Sequence, residues 1–320
     1  MHTVTVTDVV EETDAVRRYR LARPDGSPLP AYRAGAHIQV TGPTGLTRAY
    51  SLCGPPADPG AYTIAVQREP ESRGGSQALH DKVAVGTELG VSDPHNLFAL
   101  TPSATEHHLV GAGIGITPLL AMAYELYADG AAFALHYVAR GEAEAPFAQT
   151  LAEAPFAGRV RRLFGLGRDR TAAALRDTLG ALPPGSHVYT CGPAGFMDTV
   201  TRLAAHTLPE DHIHSELFRA DDADDGDTDT DPGRTFEVEL DGETYTVRPG
   251  RSIAEVLEEH GIPLDTSCRE GICGTCVLQV LDGTPDHRDQ CLSRDEKAAG
   301  DRIAACVSRA RSPRLVVELW

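Results

Sequence analysis

The chain of 320 residues has no long hydrophobic run and few aromatic residues. No stretch approaches the roughly 18 consecutive apolar residues that a membrane-spanning helix needs, which argues against a membrane protein. The opening segment, MHTVTVTDVVEETDAV, has neither the basic part nor the apolar part of a signal peptide. We therefore expect a cytoplasmic protein without a membrane partner.

Basic residues are scarce relative to acidic ones. There are 29 Lys and Arg against 46 Asp and Glu, so the formal net charge is −17. A surface of this sign repels the phosphates of nucleic acid, which excludes nucleic acid as a partner. The seven cysteines are an odd number, which argues against a disulfide framework and suits a reducing cytosol.

Four segments differ in their residue patterns. Residues 1–103 show short alternating runs separated by Gly, Pro and Asp, a pattern typical of an antiparallel sheet or small barrel. Residues 104–219 alternate strand, glycine loop and helix, which predicts a parallel sheet. Residues 220–234, ADDADDGDTDTDPGR, have no large apolar side chain and predict an acidic linker.

Residues 235–320 predict a small sheet that embraces one helix. Asp241 and Gly242 separate two alternating runs, which is a hairpin signal. The run SIAEVLEEHG predicts a helix with a capping box formed by Ser252 and Glu255, and Gly261 predicts its end.

Three cysteines stand close together in SCREGICGTCVLQV, at positions 268, 273 and 276. Disulfides, zinc and an iron–sulfur cluster are the possible reasons. Zinc sites prefer paired C-x2-C or histidine ligands, and this stretch has only one such pair. The spacing C-x4-C-x2-C with a distant fourth cysteine is the plant-type 2Fe–2S pattern. Gly271 and Gly274 allow the backbone to wrap closely around such a cluster.

A 2Fe–2S cluster takes one electron at a time, whereas NAD(P)H gives up a hydride, so a flavin is expected between them. RAYSLCG has the R-x-Y-S form of flavin-binding barrels, although alone it is equally compatible with an ordinary strand. Further on, RGGSQALHD predicts a helix whose first N–H groups could bind a phosphate. GAGIGITP is a partial G-x-G-x-x-G match between a strand and a helix.

Jointly, these motifs resemble the family of phthalate dioxygenase reductases and vanillate demethylase reductases, in the family's order of domains. The resemblance implies an FMN-binding, ferredoxin-reductase-like β-barrel over residues 1–103 and an α/β parallel-sheet NAD-binding domain over 104–219. It also implies a plant-type 2Fe–2S ferredoxin domain of β-grasp fold over 235–320.

The resemblance also implies the cluster ligands. The fourth ligand stands in the family's ACVSRA-like segment, which assigns it to Cys306 rather than to Cys291. Cys291 is interpreted as a buried thiol outside the cluster. The ligand set implied is Cys268, Cys273, Cys276 and Cys306.

By the same resemblance, Arg48 would face the flavin phosphate, Tyr50 would lie along the isoalloxazine ring and Ser51 would bond its edge. The family carries AVxR…RGGS at the corresponding place and holds FMN. The flavin residues implied are Arg48, Tyr50, Ser51, Ala65, Val66, Gly74, Gly75 and Ser76.

GAGIGITP and TCGPAGFM together resemble the nicotinamide half of these proteins. Thr117 would lie between flavin and nicotinamide, Cys191 would sit near the nicotinamide ring unless it is a structural thiol, and Phe218 would cover the flavin. Two acidic residues, Glu142 and Glu144, follow Arg140, which favours NADH over NADPH. The implied nicotinamide-site residues are Gly113, Gly115, Thr117, Arg140, Cys191, Gly192, Pro193 and Phe218.

The resemblance predicts a monomeric NADH-dependent reductase that passes electrons through FMN and a 2Fe–2S cluster to a separate oxygenase component. The sequence has no haem-ligation motif, so the oxygen chemistry is expected to belong to the partner. A Rieske-type oxygenase and a haem-thiolate monooxygenase both remain open as acceptors. A redox-sensing module that merely holds the cluster is a further alternative, against which the RAYS and TCGP motifs argue.

Overall fold

The computed structural model describes residues 1–69, 74–218, 234–266, 269, 271, 274–289, 291–292 and 294–319. The chain folds into two compact units, Met1–Glu216 and Leu217–Trp320. Of the predicted linker, residues 220–233 lie outside the described residues. Within the described ranges, no helix is both long and apolar enough to cross a membrane.

An antiparallel sheet opens the first unit. Its strands lie in the order β4-β3-β6-β1-β2-β5, with β7 paired to β3. A bridge between Leu52 and Ile64 connects the end of β4 to β5, which closes the sheet into a barrel. Helix α1 (Gly75–Lys82) follows β5. The strands are β1 (His2–Thr13), β2 (Val16–Ala22), β3 (Ala36–Thr41), β4 (Thr47–Ser51), β5 (Tyr62–Gln67), β6 (Glu88–Val91) and β7 (His95–Asn96).

A parallel sheet completes the first unit. Its strands lie in the order β10-β9-β8-β11-β12, so the order reverses between β8 and β11. Ligands of such sheets bind beyond the carboxyl ends of the strands at this reversal. The elements are β8 (Glu106–Ala112), α2 (Ile116–Ala128), β9 (Phe133–Ala139), α3 (Ala148–Ala152), β10 (Val160–Phe164), α4 (Arg168–Leu179), β11 (Ser186–Cys191), α5 (Ala194–Ala204) and β12 (Ile213–Glu216), with 3-10 turns at Gly113–Gly115 and Glu210–His212.

The second unit has a mixed sheet in the order β14-β13-β19-β15-β17, in which β13 and β19 are parallel. Helix α6 packs its apolar side into the core of this sheet. A small pair, β16 and β18, lies apart from it. The elements are β13 (Phe236–Leu240), β14 (Glu243–Val247), α6 (Ile253–Glu259), β15 (Val277–Asp282), β16 (Pro285–Asp286), α7 (Arg294–Ala299), β17 (Arg302–Ala304), β18 (Arg309–Ala310) and β19 (Arg314–Glu318).

Local signals in the second unit are confirmed. Asp241 and Gly242 both have positive φ, 53° and 82°, as a two-residue type I′ hairpin turn requires. The capping box is also present: the Ser252 hydroxyl accepts from the Glu255 N–H, and the Glu255 carboxylate accepts from the Ser252 N–H. The barrel, the parallel sheet and the small sheet around one helix confirm the predicted fold class.

A layer of histidines lies near the amino ends of the parallel strands. His187 Nδ1 and His214 Nε2 are 2.9 Å apart, so one imidazole donates to the other. On the other face, His136 stacks on His108, and both His136 nitrogens are buried without a hydrogen-bond partner among the described residues. Burial, with a smaller effect of neighbouring histidines, lowers the pKa of His107, His136 and His214 to about 4.

These histidines should make the fold sensitive to acid. In the unfolded chain these histidines are protonated below about pH 6.5, whereas in the folded chain they are protonated only below about pH 4. Stability is therefore lost as the pH falls between these values. For His136 the loss at pH 5 is about 2 kcal/mol. Between pH 7.5 and pH 5, we expect the Tm of His136→Leu to decrease less than the Tm of the wild type, measured by thermal unfolding. His206→Gln, at an exposed histidine, is the control. A decrease in Tm as large in His136→Leu as in the wild type would contradict the prediction.

Candidate functional site

The predicted phosphate site lies where β4 meets the start of α1. Gly74 precedes the helix with a left-handed φ of 99°. A Cβ on Gly75 would lie 3.1 Å from Cγ of Arg48, so the arginine stem crosses the first turn of the helix at close range. The first N–H groups of a helix and a guanidinium together favour an anion. The structure thus brings Arg48, Gly74 and Gly75 together, as predicted.

The other end of α1 is fixed to the barrel. The Tyr19 hydroxyl donates to the Leu79 carbonyl at 3.0 Å, and Arg17 donates to the His80 carbonyl. His80 Nε2 lies 2.8 Å from the carbonyl oxygen of Val66, one of the predicted flavin residues. These bonds hold the helix that carries the phosphate site in a set position against β5.

The remaining predicted flavin residues lie on adjacent barrel strands. Ser51 ends β4 and is buried, whereas Tyr50 is half-buried against the barrel core. Ala65 and Val66 are buried on β5. Ser76 accepts a hydrogen bond from the Glu69 N–H at 3.2 Å, which connects the end of β5 to the first turn of α1.

The two nicotinamide motifs meet at the reversal of the parallel sheet. A Cβ on Gly115 would lie 2.4 Å from the Cys191 carbonyl oxygen, so only glycine allows the two loops to approach this closely. Thr117 is buried in the first turn of α2, and its hydroxyl donates to the Ile114 carbonyl at 3.0 Å. Gly192 and Pro193 follow Cys191 and lead into α5.

One half-buried carboxyl group joins the end of β4 to the end of β11. The Ser51 hydroxyl donates to Glu216 Oε2 at 3.2 Å, and Glu216 pairs with Cys191 across β12 and β11. Burial raises the pKa of Glu216 to about 8, so the group is mainly neutral at pH 7. Burial, and then the Glu216 charge, raise the pKa of the Cys191 thiol. Glu216 was not among the residues predicted from the sequence, although it stands two residues before Phe218.

The segment that follows β9 carries two carboxylates close to Arg140 in the sequence. Arg140 is exposed directly after the strand. Glu142 Oε1 lies 3.3 Å from Arg162 Nη1. The Glu144 carboxylate lies so close to Gly141 that a Cβ there would be 2.6 Å from Oε2. The additional phosphate of an NADPH molecule, if it lay near Arg140, would therefore be close to two carboxylates.

The barrel and the parallel sheet are also joined through α2. Glu125, in the last turns of this helix, is buried. Its Oε1 accepts from Arg33 Nε and its Oε2 accepts from the Ala34 N–H, both at 2.8 Å. The helix that begins at the glycine loop is thereby fixed to the barrel at its other end.

Two of the predicted cluster ligands, Cys268 and Cys273, lie outside the described residues. Cys276 directly precedes β15 and Cys306 closely follows β17, and these strands pair with Val277 opposite Ala304. Both cysteines are buried in the core of the second unit. The strand pairing thus brings Cys276 and Cys306 to the same end of the sheet. Among the described side chains, no group of three or more potential metal ligands comes together.

The loop between Cys268 and Cys276, called the cluster loop below, approaches the segment after Cys306 at Gly271. Gly271 and Gly274 have positive φ of 73° and 72°. A Cβ on Gly271 would lie 2.5 Å from Cγ2 of Val307 and 3.0 Å from Cα of Asp289. Only glycine allows the backbone to approach these residues so closely at position 271, and the wrapping of the loop around a cluster stays a prediction.

Cys291 lies beside the cluster loop and is half-buried rather than buried, which corrects the expectation. Its N–H donates to the Gly271 carbonyl at 3.1 Å. Its Sγ lies 3.5 Å from Asp289 Oδ2, within the range of a weak hydrogen bond from a thiol to a carboxylate. The contact favours a place outside the ligand set, which stays a prediction.

Phe218 belongs to the second unit, two residues beyond the end of the first. Its predicted place over the flavin therefore stays a prediction.

Comparison with known proteins gives three close similarities. The family model of the 2Fe-2S iron-sulfur cluster binding domain matches residues 236–311. The chain is 41% identical over 303 residues, 93% of each chain, to vanillate O-demethylase oxidoreductase of Pseudomonas sp. strain HR199. Phthalate dioxygenase reductase, described as a modular structure for electron transfer from pyridine nucleotides to 2Fe-2S, aligns over 99% of this chain and 97% of that one, with 35% identity and a TM-score of 0.76.

A further solved structure is an intact type IV self-sufficient cytochrome P450 monooxygenase. It aligns over 99% of this chain and 41% of that one, with 35% identity and a TM-score of 0.81. A region of that longer protein is therefore similar to the whole of this chain.

The carboxyl group of Glu216 should control the pH dependence of flavin reduction by a reduced nicotinamide coenzyme. Ionisation of Glu216 near pH 8 places a negative charge beside Ser51 and Cys191, which disfavours the approach of a hydride. We expect the wild-type rate to fall as the pH rises through about 8, and the Glu216→Gln rate to stay level, measured by stopped-flow absorbance. The exposed Glu210→Gln variant should behave as wild type. A fall near pH 8 in Glu216→Gln would exclude this role.

Proposed function

The chain belongs to the family of phthalate dioxygenase reductases and vanillate demethylase reductases, and we propose that it is the NADH-dependent reductase of an oxygenase system. Electrons pass from NADH through FMN and a 2Fe–2S cluster to a separate oxygenase component. The observation that carries the proposal is the meeting of the buried Ser51 and Cys191 with the half-buried Glu216 in one site. A redox-sensing module would have no need of such a site.

The residues of this site have separate roles. A bound flavin accepts a hydride and passes on single electrons, which connects a nicotinamide to a one-electron cluster. Ser51 orients the flavin edge, and Thr117 and Cys191 border the nicotinamide. Glu216, neutral below about pH 8, keeps the site free of negative charge. Phe218 covers the flavin until the coenzyme displaces it.

We propose FMN as the flavin. Arg48 and the first turn of α1 are suited to one anionic group, and FMN ends in a single phosphate. Ala65, Val66 and Ser76 complete the site on β5 and α1.

We propose NADH as the coenzyme. Gly113 leaves open space for its pyrophosphate at the sheet reversal, and Gly115 allows the facing loop with Gly192 and Pro193 to approach closely. Glu142 and Glu144 beside Arg140 would repel the additional phosphate of NADPH.

We propose a Rieske-type oxygenase as the acceptor, because the relatives include a vanillate O-demethylase oxidoreductase and a phthalate dioxygenase reductase. A haem-thiolate monooxygenase is the second candidate, favoured by the similarity to a region of a self-sufficient cytochrome P450. A cytoplasmic monomer is proposed on the sequence alone.

The domain boundaries are also proposals: 1–103, 104–219, 220–234 and 235–320. They are supported by the ends of the sheets, since β7 ends at Asn96, β8 begins at Glu106 and β13 begins at Phe236.

Replacement of the fourth proposed ligand should separate the two halves of the electron path. We expect Cys306→Ser to lose the cluster, because serine is a poor ligand for iron–sulfur clusters, and with it NADH-driven reduction of cytochrome c. Flavin reduction by NADH should persist. Iron content, visible absorbance and both rates are measured. Cys291→Ser is the control and should keep its cluster; the reverse pattern would overturn the ligand assignment.

Arg48→Ala should weaken FMN binding. A charge-assisted contact with the phosphate contributes about 1.5–3 kcal/mol, which is roughly a 10- to 100-fold change in Kd. The Kd is measured by fluorescence titration of the flavin-free protein with FMN. Arg20→Ala, which removes an exposed ion pair with Asp58, is the control. Wild-type affinity in Arg48→Ala would show that Arg48 does not bind the phosphate.

A further inference from the structure

A carboxylate of the barrel reaches into the nucleotide half of the first unit. Glu12 lies near the end of β1, and its side chain is 11% exposed. Its Oε2 accepts a hydrogen bond from the Phe147 N–H at 2.9 Å. Its Oε1 lies 3.3 Å from Arg18 Nε, so the carboxylate is held on both sides.

Phe147 has a backbone conformation that needs support. Its φ is 61°, in the left-handed region that a bulky residue rarely adopts. The side chain is buried, and the Leu151 N–H donates to the Phe147 carbonyl to begin α3. The Phe147 N–H donates to the Glu12 carboxylate, and this bond stabilises the turn that ends the segment after Arg140.

Tyr137 connects this turn to the glycine loop. Its hydroxyl lies 3.1 Å from the Pro146 carbonyl oxygen and 3.2 Å from the Gly113 carbonyl oxygen. The ring is fully buried in the parallel sheet. Gly113 has a φ of 55° and belongs to the loop proposed for the coenzyme. A continuous series of contacts therefore runs from Glu12 to the glycine loop.

We infer that Glu12, a residue of the flavin barrel, is a positioning residue for the nicotinamide coenzyme. It holds the turn at Phe147, and through Pro146 and Tyr137 it sets the position of the Gly113 loop. This inference rests on the proposed function. Both loops are assigned to the coenzyme body rather than to its reacting ring, so their displacement weakens ground-state and transition-state binding alike. The expected effect is a higher KM with little change in kcat.

The test compares Glu12→Ala, Glu12→Gln and the neighbouring Glu11→Gln. Glu11 forms an exposed ion pair with Arg17 and serves as the matched control. KM and kcat for NADH are measured with ferricyanide, and the Kd of NAD⁺ is measured by calorimetry. We expect about a tenfold rise in KM and Kd for Glu12→Ala, with kcat within about twofold. Glu12→Gln, whose amide oxygen can still accept from Phe147, should show a smaller rise, and Glu11→Gln none.

Unchanged KM and Kd in Glu12→Ala, with or without a lower Tm, would overturn the inference, as would a loss of kcat alone. If Glu12→Ala does not fold, wild-type KM and Kd values in Glu12→Gln overturn it. Wild-type protein that neither NADH nor NADPH reduces would refute the proposed function, and the NAD⁺ Kd values would still decide the role of Glu12.

Discussion

The hydrogen bond from the Ser51 hydroxyl to the half-buried Glu216 carboxyl is the contact on which the candidate site depends. It requires the end of β4 in the barrel to reach the end of β12 in the parallel sheet. Glu216 in turn lies beside Cys191 because β12 pairs with β11. Since burial keeps the carboxyl neutral at pH 7, the contact joins two domains without placing a charge between the proposed flavin and nicotinamide.

Two further carboxylates connect the barrel to the parallel sheet by accepting hydrogen bonds from backbone N–H groups. Glu125 accepts from Arg33 and Ala34, and Glu12 accepts from Phe147. Each binds a backbone N–H across the boundary between barrel and parallel sheet, and a guanidinium lies beside each. Bonds of this kind are directional, so they fix distances more closely than apolar packing alone.

Local signals predicted much of the fold and part of the site. The hairpin turn at Asp241 and the capping box at Ser252 are determined by neighbouring residues, so the sequence was sufficient. Glu216 and Glu12 were missed, because their roles arise from partners more than 100 residues away. Periodicity can mark a strand, but it cannot show which distant loop a carboxylate will meet.

We propose that reducing equivalents from NADH reach the cluster through the flavin. Anaerobic titration of the wild-type protein with NADH, followed by visible absorbance and electron paramagnetic resonance, tests it most directly. We expect uptake of about three electrons per chain, two by the flavin and one by the cluster, with the flavin bleached first in rapid mixing. A cluster that stays oxidised while the flavin is fully reduced, or a flavin that NADH does not bleach, would contradict it.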